Sequence, residues 1–175
     1  MKTKSILLSF LTALTLSGVS ALTAANGVVQ DRSRSPSRLE GAWQVTITPY
    51  VCATGELLPA AAVASYITFA EGGTLAETTS NARFQPGQRS PGHGFWERTG
   101  HHTYRAVVQA FLLFTSVVTP PELPRYVRGT QRFDHGIELV DNDHWTSAAT
   151  VSFFDMGGTL VPPSGCAVAA AVRLQ

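Results

Sequence analysis

The chain has 175 residues, of which 13 Lys and Arg stand against 12 Asp and Glu, for a net charge of +1 and only 14% charged residues. That near-neutral balance excludes a function driven by a strongly basic or acidic surface, nucleic-acid binding above all. A hydrophobic content of 44% excludes a disordered chain, and two cysteines are too few for a cysteine-rich zinc framework.

Lys2 and Lys4 precede an apolar run from Ile6 to Leu16, and small residues from Ser17 to Ala21 follow. This is the layout of a secretory signal peptide, assigned to residues 1–25, with Ala21, Ala24 and Ala25 as alternative cleavage points. The apolar run is well short of the roughly 20 residues needed to span a bilayer, and no membrane span is expected in the mature chain. Residues 26–38 carry Arg32, Arg34 and Arg38 among Ser33, Ser35, Pro36 and Ser37, with no hydrophobic period, and read as a flexible leader. Residues 39–175 then form one domain, secreted or periplasmic.

The domain opens on a clear strand. In Leu39 to Cys52, the residues Leu39, Gly41, Trp43, Val45 and Ile47 fall on one face, and Glu40, Ala42, Gln44, Thr46 and Thr48 on the other, the period-2 pattern of a half-buried strand. The next strands are expected at Ala64 to Phe69, Thr74 to Ser80, Gly92 to Arg98 and His101 to Thr115. Breakers in Asn81 to Gly92 and the prolines of Thr119 to Pro124 predict loops. Further strands are expected at Tyr126 to Phe133, Ile137 to Asp141, Trp145 to Phe154 and Cys166 to Leu174, with His135 at a hairpin tip.

Phe69 to Leu75 and Phe154 to Leu160 both read Phe-x-x-Gly-Gly-Thr-Leu, and Phe133 to Leu139 gives a looser Phe-x-x-Gly-x-x-Leu. Each is expected to be strand, tight turn, strand, with glycine supplying the turn geometry. The pattern predicts an all-β domain, a single antiparallel up-and-down barrel of about eight strands. In an exported chain the two cysteines pair, and antiparallel first and last strands would bring Cys52 beside Cys166. A disulfide Cys52–Cys166 would then close the barrel.

Gly41-Ala42-Trp43 at the start of the first strand resembles the Gly-x-Trp signature of lipocalin-like and avidin-like barrels, the calycin group. The resemblance implies a structural role for Trp43 as the plug of the closed end, with Arg173 as the arginine stacked over it. A second, Thr-Asp-Tyr-like lipocalin motif is absent and no segment suits the helix that follows a lipocalin barrel, so the simpler avidin-like outline is the closer match. No residue pattern matches a biotin site.

No nucleophile elbow, zinc helix or phosphate loop occurs, and neither a cofactor nor a metal is implied. Tyr104, Trp96 and Phe114 are the expected lumen contacts for a ligand, and alanines at 106, 110, 148, 149, 167, 169, 170 and 171 leave room for it. His102 and Tyr104, two apart on one strand face, with Glu97 beside them, are the candidates for acid/base catalysis. His101 and His102 would point to opposite faces, and His144 follows the acidic turn Asp141-Asn142-Asp143, read as solvated. The expected function is binding of a small, mostly apolar molecule in the lumen. The alternatives are a cyclase- or isomerase-type barrel enzyme and a solid-core protein that contacts a partner through its loops.

Overall fold

The computed structural model describes residues 39–116 and 127–175. The proposed signal and leader, the proline loop and Tyr126 lie outside the described residues. Eight strands run in sequence: β1 (Gly41–Tyr50), β2 (Val63–Phe69), β3 (Thr74–Thr79), β4 (Gly92–Arg98), β5 (Thr103–Leu112), β6 (Gly129–Leu139), β7 (His144–Asp155) and β8 (Leu160–Arg173). Every sequential pair is antiparallel, and β8 returns to β1 to close an up-and-down barrel. The one short helical piece among the described residues is a 3₁₀ turn at Pro59–Ala61.

The closing seam is in register from Trp43 opposite Arg173 to Tyr50 opposite Cys166. Two residues past β1, Cys52 is bonded to Cys166 with their Cα atoms 5.4 Å apart. The disulfide therefore staples the seam at one mouth, which we call the stapled mouth. The other mouth holds the start of β1 and the end of β8 and is filled by aromatic rings. Trp43, Trp145, Phe69 and Trp96 are buried there and meet in edge-on contacts with centroids 6.0–6.3 Å apart, a favoured arrangement of ring quadrupoles.

Period-2 alternation explains the layering. Trp43, Val45 and Ile47 of β1, Ile67 and Phe69 of β2, and Trp145, Ser147 and Ala149 of β7 are buried, while the residues between them are more exposed. The turns at Gly72-Gly73 and Gly157-Gly158 are built alike. The N–H of Ala70 donates to Thr74 O at 2.9 Å and that of Asp155 to Thr159 O at 2.9 Å. Gly73 and Gly158 then donate back to Ala70 O and Asp155 O, at 3.3 and 3.0 Å. Both glycines hold positive φ, 89° and 80°, which the turn demands of them.

The third copy of that pattern is not a turn. Residues 129–139 form one continuous strand, so the expected strands at Tyr126 to Phe133 and Ile137 to Asp141 are a single β6 and the count is eight. Gly136 is an ordinary ladder residue opposite Arg105 and Ala148, and His135 lies mid-strand rather than at a hairpin tip. β5 is shorter than expected, with His101 and His102 in the preceding turn and Phe114 beyond its end. β8 starts earlier, at Leu160, because a register shift opposite Val151 and Phe153 accommodates Pro162 and Pro163, which have no N–H for the ladder.

Candidate functional site

The inward side chains change character along the barrel axis. Above the aromatic plug, the barrel interior carries buried polar groups. The loop between β3 and β4 sends the side chain of Arg89 inward, positioned by a bridge from Arg89 to Leu112. Gln88, fully buried, fixes that loop by donating to Phe114 O at 3.0 Å and Ser116 Oγ at 3.2 Å. Arg89 Nη2 donates to Glu77 Oε2 at 2.8 Å and Nε to Gln131 Oε1 at 2.6 Å, while Ser65 Oγ donates to Glu77 Oε1 at 3.0 Å. Both side chains of the ion pair are 4% exposed. A buried carboxylate is tolerable here because its charge is matched and both its oxygens are hydrogen-bonded.

Further along the inward face of β6, past Gln131, His135 meets Ser147 of β7, with Nδ1 3.1 Å from Oγ. Burial disfavours the imidazolium and pushes the His135 pKa down to about 4 from the ordinary 6.5, only weakly opposed by Asp134 on the outer face. His135 is neutral at physiological pH. Phe133 stacks parallel to the imidazole with centroids 5.8 Å apart. Beside this pair, β7 and β8 present Ala149, Ala167, Ala169 and Ala171 inward, all buried. Phe133 and Val151 also pack on this core yet keep partial solvent access.

The residues expected to act are distributed as follows. Tyr104 and Trp96 are buried together in the hydrophobic core, with ring centroids 6.0 Å apart. Trp96 Nε1 donates to the carbonyls of Ala70 and Thr74, so this indole is held in the plug. Glu97 faces outward and lies 3.6 Å from Arg105, with both side chains about half exposed. His102 is half-buried in the turn before β5, its ring edge-on to His101 at 4.1 Å. Phe114 is 38% exposed. The structure thus brings Tyr104 and Trp96 together in the core and leaves Glu97 and Phe114 outside it.

Arg173 lies over the Trp43 ring with Cζ 4.1 Å from the centroid. Its Nη1 donates to Glu40 O at 2.7 Å and its Nε to Asn142 O at 2.8 Å. Gly41, at φ 125°, lies against this guanidinium, and a Cβ there would crowd Nη1. Six of the eight alanines marked as room-making do face inward; Ala148 and Ala170 are on the outer face. That outer face of β6, β7, β8 and β1 forms a shallow depression of about 530 Å³ between Thr46, Thr146, Val168 and Glu138. A second depression, of about 280 Å³, lies under the β3–β4 loop.

Sequence reasoning passed over Gln131, Arg89 and Ser147. Ser147 and His135 were accessible to the alternation rule, since each shares parity with apolar neighbours, Trp145 and Ala149 for one, Ile137 and Leu139 for the other. Gly136 concealed His135 by imitating a turn. No family model matches the chain, and no curated protein or solved structure matches it.

Proposed function

We propose that this protein is an exported, calycin-like barrel that takes a small, mostly apolar molecule into its lumen through the stapled mouth. One observation carries the reading: the inward wall of β6 to β8 combines short side chains with a buried neutral polar pair, His135 and Ser147, below partly accessible Phe133 and Val151. A protein core built for stability alone favours larger apolar side chains at such positions. The aromatic plug at the far end, with Arg173 over Trp43, supports the likeness to calycins. The disulfide and the basic, apolar, small-residue order of the N-terminus support export.

The test is native mass spectrometry of the protein purified from its own culture, followed by organic extraction. The expected result is a co-purifying neutral compound released by denaturation. Failure to release any compound, together with an unchanged unfolding temperature in the presence of ethylbenzene, acetophenone or naphthalene, would overturn the proposal.

A further inference from the structure

Most glycines inside the strands of this barrel answer to constraints of the chain itself. A Cβ at Gly92 would strike Glu77 and Val108, one at Gly94 or Gly129 would strike the backbone of the neighbouring strand, and Gly165 lies opposite Val151 at the register shift. Gly136 of β6 has no such reason. It is a ladder residue between Arg105 and Ala148 without positive φ, and a Cβ built on it would meet nothing within 4 Å. Glycine in a strand interior weakens the strand, and it marks places where another backbone or a ligand comes close.

The surroundings of Gly136 say what comes close. It lines the outer depression of about 530 Å³ with Ala148, Ala170, Val168, Thr46 and Thr48, drawn from four adjacent strands. Between their end residues, β1, β7 and β8 carry no charged side chain at all. The outer face of β4 to β6 is different, with Glu97, Arg105, Asp134 and Arg132 linked in ion pairs. Depletion of charge is the compositional mark of the centre of a protein interface.

This wall fits a copy of itself. Two uncharged faces meet without setting like charges together, and sheets of equal pitch pack face to face about 10 Å apart. Thr146 and Ala170 are ladder partners; Ala148 follows one by two residues and Val172 the other, in opposite directions along the antiparallel pair. A two-fold axis in the interface over Thr146 and Ala170 therefore exchanges Val172 with Ala148. Val172 faces outward and is 52% exposed, so it is the knob for the hollow at Ala148 and Gly136. The four strands are each ten residues or longer, a wall of roughly 19 Å by 33 Å. Two such walls bury on the order of 1,200 Å², where interfaces of standard size begin.

We infer that the outer face of β6, β7, β8 and β1 is the interface of a two-fold homodimer, in which Val172 of each copy sits over Gly136 and Ala148 of the other. The inference is independent of what the lumen holds.

The experiment is analytical ultracentrifugation of the mature, disulfide-bonded protein from roughly 1 μM to 1 mM, a range that brackets micromolar affinity. A reversible monomer–dimer equilibrium is expected. Ala170→Arg sets two like charges together near the axis and is expected to weaken the dimer about a hundredfold or more, with an unchanged circular dichroism spectrum. Gly136→Val fills the hollow and is expected to weaken it at least about tenfold while leaving the unfolding temperature of the monomer equal or higher, because valine suits a strand and meets nothing within the chain. Gln109→Glu, on the outer face of β5, is expected to leave the equilibrium unchanged. A monomer at every concentration would overturn the proposal, and so would a dimer that Ala170→Arg and Gly136→Val leave intact. A monomer that instead holds a different co-purifying protein, released by Ala170→Arg, would give the wall to a foreign partner and overturn the second copy.

Discussion

At the scale of single residues, His135 makes the sharpest prediction. Its pKa falls from an ordinary 6.5 to about 4 because the charged ring would lose its hydration. Above pH 6.5 the ring is neutral in both folded and unfolded chains and stability does not depend on its titration. Between 6.5 and about 4 the unfolded chain binds the proton and the folded one does not, so stability falls as pH falls. The full difference corresponds to about 3 kcal/mol. Denaturant midpoints measured from pH 7 to pH 4 are expected to decline for the native protein and to decline less for His135→Gln. Arg173 acts at the opposite end. Its guanidinium covers Trp43 and satisfies two backbone carbonyls, so Arg173→Ala is expected to cost about 1–2 kcal/mol. Urea unfolding followed by tryptophan fluorescence checks this, and Arg173→Lys should recover less than half of the loss, because an ammonium lacks the planar fork.

At the scale of elements, β4 is set by its glycines. A Cβ at Gly94 would overlap the carbonyl oxygen of Val107 across the β4–β5 ladder, and backbone cannot step aside as a flexible side chain can. Gly94→Ala is expected to lower the unfolding temperature by several degrees, which calorimetry would detect. The β3–β4 loop makes a further prediction, because its Arg89 joins three strands through Glu77, Gln131 and, by way of Glu77, Ser65. Arg89→Met strands a buried carboxylate and should cost about 3–5 kcal/mol, whereas the double variant Arg89→Met with Glu77→Leu should recover much of it. Chemical denaturation of the two variants decides between them.

These elements also show how far sequence reading reaches. β1, β2 and β7 are legible because a two-residue period over several residues leaves one consistent inward face. Sequence alone breaks β6 in two because Gly136 follows Phe133 at the spacing of Gly72 after Phe69, and composition does not distinguish a glycine at φ 88° from one in a ladder. The Arg89 network was illegible for a different reason. Its members lie on the β3–β4 loop, on β2, on β3 and on β6, and their meeting depends on closure of the whole barrel, which no local pattern encodes. Of the expected lumen residues, Tyr104 follows the alternation inward, while Phe114 lies past the point where β5 ends and alternation ceases to apply.

At the scale of the whole molecule, closure leaves no unpaired sheet edge among the described strands, removing the usual template for edge-to-edge association. The seam between β1 and β8 is the last contact that the chain can make, joining segments at opposite ends of the domain sequence. The bond between Cys52 and Cys166, 114 residues apart, holds that seam when the rest is unfolded. In the chain-entropy account a loop of this length is worth roughly 4–5 kcal/mol. Replacing both cysteines by serine is expected to lower stability by about that amount, measured by denaturant unfolding beside the reduced native chain.

That same bond would change its worth if the order of the chain were changed. Gly41 and Arg173 lie at one mouth, so a short linker between the ends of β1 and β8, with a new opening cut at Glu71-Gly72, would give a circular permutant with every ladder but one turn intact. In such a permutant the cysteines would be separated by about a quarter of the present span, and the cross-link would lose roughly 1 kcal/mol of its entropic effect. The seam would then form early, from neighbours, and the present β2–β3 hairpin would become the distant closure.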